Sequence, residues 1–314
     1  MPSNLPGLLE GQKILLVGCG KMGSALLQGW LNAGLDAAQF YVQEPNPDAA
    51  LADLGIHLNS ETRVLEAAKP SVIILAIKPQ LAVEVLPPIA LLAAPETLVV
   101  SLMAGVSTDV MSDLLGGEAI FVRTMSNTPA AIGEGMTALY ASVGTQDSQK
   151  AVAEALLAAV GQTVWLESEK SLDLVTAISG SGPAYVFHLA EALAAAAVNL
   201  GLPQDMAAQL SQQTVIGSAA MLRQESADPR QLRVNVTSPG GTTEAALDVL
   251  MGDTGGLVDL MRRATHAAAG RAGERGERHR PRLWHRRAPP AAARRRGRGD
   301  LRQRLRAVAR LDDE

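Results

Sequence analysis

The chain reads as an α/β protein: a doubly wound parallel sheet at the amino-terminal end, followed by an all-helical part. Three observations predict this. From residue 13 to about 166, short apolar runs alternate with helical patterns, as a parallel sheet covered by helices requires. From residue 170 the strand signals stop and long helical patterns take over. Between the first apolar run and the first helical pattern stands a G-x-G-x-x-G spacing, Gly18-Cys19-Gly20-Lys21-Met22-Gly23.

That glycine turn follows the apolar run 13–17, which ends in Val17, and opens the helical pattern 24–31. Strand, glycine turn and helix is the context in which the spacing has a physical meaning. Gly18 permits a tight turn, Gly20 lets the backbone approach a diphosphate, and Gly23 lets helix and strand pack closely. A dinucleotide diphosphate there would sit on the unpaired amides at a helix N-terminus. The alternative is a turn with a structural role only.

The second strand is expected at residues 40–43, ending in a turn with two prolines, Glu44-Pro45-Asn46-Pro47. Glu44 lies near where a carboxylate can bind the adenosine ribose 2′-hydroxyl, a reading that favours NAD over NADP. The competing reading is a solvated acid in a loop, so the choice between NADH and NADPH stays open. Residues 72–77 are almost continuously apolar, as suits a strand buried on both faces. They stop at Lys78-Pro79, where proline holds the preceding residue extended. Further strands are expected at 97–102, 119–125, 136–142 and 162–166, with a helix at 150–160. In such sheets ligands bind at the carboxyl ends of the strands, where Lys78, Pro79, Met103, Ala104, Asn127, Thr128 and Pro129 fall.

In the second part, Pro183 suits the first turn of a helix over 184–200, for which Gly201 is the left-handed stop. Another helix should run from Pro203 to about Gln224, and a single turn should span 230–234. The helix 184–200 is apolar over most of its circumference, so it should be buried on several sides, and packing against a second subunit is inferred. His188, on that helix, reads as a satisfied core histidine. Residues 235–243 form a polar, glycine-rich loop before a helix over 244–250. Gly240 and Gly241 expose backbone amides next to a helix N-terminus, and Thr242 and Thr243 add hydroxyls, which together suit a carboxylate. An elaborate helix cap is the alternative.

Composition sets bounds on these readings. With 314 residues and 47% hydrophobic content the chain can build two domains with a substantial core. Its one cysteine, Cys19, allows neither a disulfide framework nor a zinc cluster, and no metal site is expected. No run reaches the length of a membrane span and residues 1–11 lack a signal-peptide plan, so a cytoplasmic protein with no membrane partner is expected. Residues 1–263 carry 13 Lys and Arg against 26 Asp and Glu, which argues against nucleic acid. Residues 264–314 reverse this, with 15 Arg, no Lys and 6 acids. Apolar periodicity fades near residue 270, and Pro281, Pro289 and Pro290 should break a continuing helix. Arginine without lysine beside Ala, Gly and Pro is what a GC-rich gene yields out of frame. A frameshift near 265–272 is therefore expected, with a basic arm as the alternative and disorder in either case.

Several motifs, in order, carry a family resemblance across residues 13–263. They are the glycine turn, Ala76-Ile77-Lys78-Pro79, Met125-Ser126-Asn127-Thr128-Pro129, Ser179-Gly180-Ser181-Gly182-Pro183-Ala184-Tyr185, and the stretch 235–247 beginning Asn235-Val236-Thr237-Ser238-Pro239. The chain resembles pyrroline-5-carboxylate reductase, which reduces a cyclic imine to proline with NADPH or NADH. The resemblance implies a Rossmann domain at 1–166, a helical substrate and dimerisation domain at 167–264 that forms a homodimer, often further assembled, and the Arg-rich tail at 265–314. It implies that Val17, Gly18, Cys19, Gly20, Lys21, Met22, Ala76, Ile77, Lys78, Pro79, Leu102, Met103 and Ala104 line the cofactor, with Gly23 closing the turn. Asn235, Thr242 and Thr243 match the substrate loop, and Glu169 matches an acidic position near the substrate. Thr243 is the candidate for hydrogen-bonding the ring nitrogen; no general acid is evident. Two other readings are a non-catalytic cofactor-binding remnant and another imine or β-hydroxyacid dehydrogenase. The latter usually needs a lysine on the helix 184–200, which has none.

Overall fold

The computed structural model describes residues 5–117, 119–224 and 228–284, with side chains as far as residue 274. Residues up to 180, together with 269–284, form one compact unit and residues 181–268 a second. The first begins with α1 (Leu5–Leu8), β1 (Ile14–Val17), α2 (Lys21–Asn32), β2 (Phe40–Gln43), β3 (His57–Leu58) and α3 (Thr62–Ala68). It continues with β4 (Val72–Leu75), α4 (Ala82–Ile89), β5 (Leu98–Ser101), α5 (Thr108–Leu115) and β6 (Ile120–Met125). β7 (Gly135–Ala141), α6 (Asp147–Ala158), β8 (Gly161–Trp165) and α7 (Ser171–Val175) complete it, with a one-turn π-helix at Thr176–Gly180.

The eight strands form one sheet in the order β3-β2-β1-β4-β5-β6-β7-β8. All pairings are parallel except β6 with β7. Successive side chains of a strand point to opposite faces, and both faces here are covered. Ile14, Leu16, Val72 and Ile74 pack with Leu26, Leu27, Trp30 and Leu156 on one side. Leu15, Val17, Ile73 and Leu75 pack with Leu65, Val85, Leu86 and Met111 on the other. This is why residues 72–75 are apolar at every position. Trp30 stacks on Phe40 at a centroid distance of 5.5 Å, and its Nε1 donates to the Leu156 carbonyl at 2.7 Å.

The expected strands and helices of this unit are present, most with bounds shifted by a residue or two. β3 is an addition, two residues long and too short for a periodicity to register. The compact first unit also extends to residue 180 rather than stopping at 166. α7 belongs with the sheet because Leu172 is buried and Glu169 pairs with Arg123 of β6.

The second unit contains α8 (Gly182–Asn199), α9 (Gln204–Leu222), α10 (Pro229–Asn235) and α11 (Thr242–Leu250), and the chain then enters α12 (Leu257–Trp284). Pro183 lies in the first turn of α8, and Gly201 follows it with φ +96°, as expected. Two features differ. His188 is no core residue of this chain: its side chain is 80% exposed and pairs with Glu191 at 3.0 Å. α12 passes the expected boundary at 265 and runs through Pro281. Its Ala, Arg and Glu residues are strong helix formers, and propensity outlasts the apolar periodicity. Pro289, Pro290 and the rest of 285–314 lie outside the described residues.

Candidate active site

The strand order reverses between β1 and β4, and there the loops after β1, β2, β4 and β5 meet. Val17 is level with Gln43 on one side and Leu75 on the other, and Leu75 is level with Ser101. The expected cofactor residues after these strands therefore share one edge, at the switch point where α/β sheets bind ligands.

The three glycines of the turn do different things. Gly18 has φ +89°, and a Cβ on it would lie 2.6 Å from the Ala76 carbonyl oxygen. A Cβ on Gly23 would lie 2.3 Å from the Gly18 carbonyl oxygen. Gly20, the residue before α2, has an ordinary φ of −69°, and a Cβ on it would meet no described atom within 4 Å. Only Gly18 and Gly23 are needed by the fold. Gly20 leaves clear the space directly before an α2 N-terminus that has no side-chain cap. This is the cradle a diphosphate fits, with the amides of the first turn of α2 as donors.

The side chains of Val17, Cys19 and Met103 are buried, so any contribution they make to a ligand is through the backbone. Cys19 is packed beside Ser24, whose hydroxyl donates to the Cys19 carbonyl at 2.7 Å. Burial pushes its thiol pKa up, the Ser24 bond opposes this, and the charge of Glu44 adds to the rise. Glu44 is not a loosely solvated acid: its Oε2 accepts from the Cys19 amide at 2.7 Å and its Oε1 from the Asn46 amide at 3.1 Å. Asn59, missed in the sequence, accepts from the Glu44 amide and donates to the Glu44 carbonyl, both at 2.9 Å. Its φ of +51° was the available signal in principle, since Asn is among the few residues that tolerate the left-handed region. Nothing local in the sequence required that conformation there.

Two of the motifs are joined directly. The Asn127 amide donates to the Ser179 carbonyl at 3.0 Å, and its oxygen accepts from the Met136 amide at 2.9 Å. The loop after β6 is thereby tied to the π-helix, a distortion often found at functional sites.

Glu169 is anchored inside the sheet unit. Its Oε1 accepts from Arg123 at 3.0 Å and from the Thr108 amide at 2.9 Å, and its Oε2 accepts from the Thr108 hydroxyl at 3.0 Å. Both oxygens serve to hold α7, α5 and β6 together. The partners lie 46 and 61 residues away in the chain, beyond the reach of a local pattern.

In the helical unit, the loop expected over 235–243 is shorter. Asn235 is the last residue of α10 and accepts from Gln231 at 2.8 Å. Thr242 and Thr243 are the first two residues of α11, after Gly241. Gly240 has φ +70°, and a Cβ on Gly241 would lie 2.9 Å from the Ser238 carbonyl oxygen, so both glycines shape the turn. The capping alternative is half realised: the Gly240 amide donates to Glu244 at 2.7 Å. Gly241 has no side chain to return a bond, so the amides of the first turn of α11 receive no side-chain cap. The first-turn amides and the residues Thr242 and Thr243 lie together at this helix start, a set of donors that suits a carboxylate.

Comparison with known proteins gives the same reading. The curated pyrroline-5-carboxylate reductase of Haemophilus influenzae is 39% identical over 247 residues, covering 77% of this chain and 90% of that protein. The chain belongs to the pyrroline-5-carboxylate reductase family. A family described as pyrroline-5-carboxylate reductase dimerisation matches residues 169–275, and one described as NADP oxidoreductase, coenzyme F420-dependent, matches residues 13–105. The Pseudomonas aeruginosa relative is 36% identical over 84% of this chain and 97% of its own length. The solved pyrroline-5-carboxylate reductase from Coxiella burnetii superposes with a TM-score of 0.77 at 35% identity, covering 84% of this chain and 98% of that one. The Plasmodium falciparum pyrroline carboxylate reductase, solved with NADP bound, gives 0.71 at 28% identity, covering 85% and 99%. This reductase is thus an NAD(P)H-dependent oxidoreductase whose helical part is of a self-associating kind. The family match runs to residue 275, beyond the window in which the frameshift was expected.

Proposed function

We propose that the chain reduces 1-pyrroline-5-carboxylate to proline, that the switch-point edge holds the coenzyme, and that the turn before α11 binds a substrate carboxylate. The reaction is a reduction of a carbon–nitrogen double bond, the last step of proline formation, and the nicotinamide of NAD(P)H supplies the hydride. The backbone of residues 17–23 holds the coenzyme diphosphate on α2, and Ala76, Ile77, Lys78, Pro79, Leu102 and Ala104 form the neighbouring wall. In the helical unit, the Gly240-Gly241 turn presents the amides of the first turn of α11, with Asn235 and the Thr242 hydroxyl as further donors or acceptors. The Thr243 hydroxyl hydrogen-bonds the ring nitrogen. Such a reaction needs an electrophile held in the right place rather than a protein nucleophile, so positioning supplies much of the rate.

The observation that carries this reading is the contrast within the glycine turn: Gly20 is open where Gly18 and Gly23 are closed. The working form is a homodimer or a larger assembly, with α8 in the shared interface. No helix among the described residues is long and apolar enough to cross a membrane, and the cytoplasm is the proposed site of action. Oxidation of NADH and NADPH by the purified protein, with pyrroline-5-carboxylate beside a β-hydroxyacid in parallel, tests the reading. Turnover is expected with the imine alone; turnover with the β-hydroxyacid, or with neither, would overturn it.

A further inference from the structure

We propose that Glu44 selects NADH over NADPH in this reductase and that Asn59 is the positioning residue that makes the selection possible. The inference rests on the coenzyme reading of the glycine turn. A coenzyme whose diphosphate lies before α2 has its adenosine ribose beside the end of β2, where Glu44 stands. The Glu44 carboxylate is fixed there by the Cys19 and Asn46 amides, one on each oxygen. Its main chain is clamped on both sides by the Asn59 side-chain amide, which continues the β2–β3 pairing one residue past the end of β3. A carboxylate has about four acceptor sites, so it retains capacity for a ribose diol. A 2′-phosphate brings further negative charge against a carboxylate that cannot swing away.

The surroundings offer that phosphate little compensation. The residues after Glu44 are Pro45, Asn46 and Pro47, without a cation. Arg63, just beyond β3, pairs with Glu61 at 2.7 Å. One matching family is described for NADP and the Plasmodium relative was solved with NADP bound, so the preference has to be measured on this chain itself.

Direct titration of the full chain with NADH and NADPH, followed by the fluorescence of the reduced nicotinamide, tests the proposal. NADH should bind about 10- to 100-fold more tightly, the range expected when one or two like charges are brought close near a surface. Glu44→Gln keeps the shape and an acceptor but removes the charge. It should tighten NADPH about tenfold and weaken NADH, so that the preference for NADH falls by at least about tenfold. Asn59→Gly allows the left-handed φ and removes the clamp. It should cut the preference several-fold and act on the coenzyme KM rather than kcat, a split that a general loss of fold would not produce. Equal affinities in the unaltered chain, or a preference unmoved by Glu44→Gln, would overturn the assignment to Glu44 and leave the coenzyme site standing. Binding of neither dinucleotide would overturn both.

Discussion

Seven residues of β1 and β4, Ile14, Leu15, Leu16, Val17, Ile73, Ile74 and Leu75, are wholly buried, whereas α8 buries none of its 18 residues. Both stretches are strongly apolar. In the sheet unit every apolar side chain of these strands has a partner on its own face, supplied by helices of the same chain. In the helical unit Phe187 is 64% exposed, Ile216 60% and Val258 79%. Exposed apolar surface on this scale marks a surface made to be covered. The comparison teaches that hydrophobicity along a sequence says that a segment will be buried and leaves open whether its own chain does the burying.

The sharpest way to break the self-sufficiency of the sheet unit is Gly23→Val. Its Cβ would lie 2.3 Å from the Gly18 carbonyl oxygen, backbone that cannot yield cheaply. No folded protein is expected, as read by circular dichroism. Gly20→Val in the same turn should fold and lose dinucleotide binding; retained affinity in that variant would make the turn purely structural. Next in size, Phe187→Asp should abolish self-association in sedimentation while the near-ultraviolet signal of buried Trp30 persists. Loss of that signal too would mean the units are not independent in the way their burial suggests.

Glu169→Ala tests the clamp inside the sheet unit. It strands Arg123, whose side chain is 9% exposed, without its carboxylate. Breaking a buried pair on one side costs about 3–5 kcal/mol, read as a lower denaturation midpoint, with the oligomeric state unchanged. An unaltered midpoint together with a raised substrate KM would instead place Glu169 at the substrate. Thr243→Ala in the helical unit should lower kcat/KM for the imine about ten- to a hundredfold, the worth of a hydrogen bond to a charged partner. Unchanged turnover would remove Thr243 from the mechanism.

The smallest effect concerns the start of α12. The Arg262 hydrogen bond, with help from the Gly255 amide, holds the Asp259 carboxyl below its usual range. A lowered folded pKa means that this contribution is complete above the ordinary carboxylate pKa and is lost as pH falls through the lowered value. Helicity of α12 should therefore hold through mildly acidic pH and decline only below it, and Asp259→Asn should remove that dependence.

Much of this architecture was legible before the coordinates because it is locally encoded. Continuous apolar runs, the glycine spacing, Pro183 and Gly201 each act through their immediate neighbours. What escaped depends on distant partners. The left-handed Asn59 is meaningful only beside Glu44, and the bonds of Glu169 run to the distant Arg123 and Thr108. β7 runs antiparallel because residues 128–134 return the chain beside β6 instead of crossing over a helix. α12 differs the other way: its amphipathicity fades while its helix propensity, and the helix, persist.

The strand order has a consequence for how the protein is made. β1 emerges from the ribosome first and ends inside the sheet, yet no later strand has to be inserted between two already in place. β2 joins one side of β1 and β3 joins β2; β4 then takes the other side of β1, and β5 to β8 follow outward in order of synthesis. Each arrival meets an open edge, so the sheet can grow during translation without undoing earlier pairings, as suits domains that fold while being synthesised. The bond from Trp30 to the Leu156 carbonyl, spanning 126 positions, closes only when α6 arrives, and so fastens α2 near the end of the unit's synthesis.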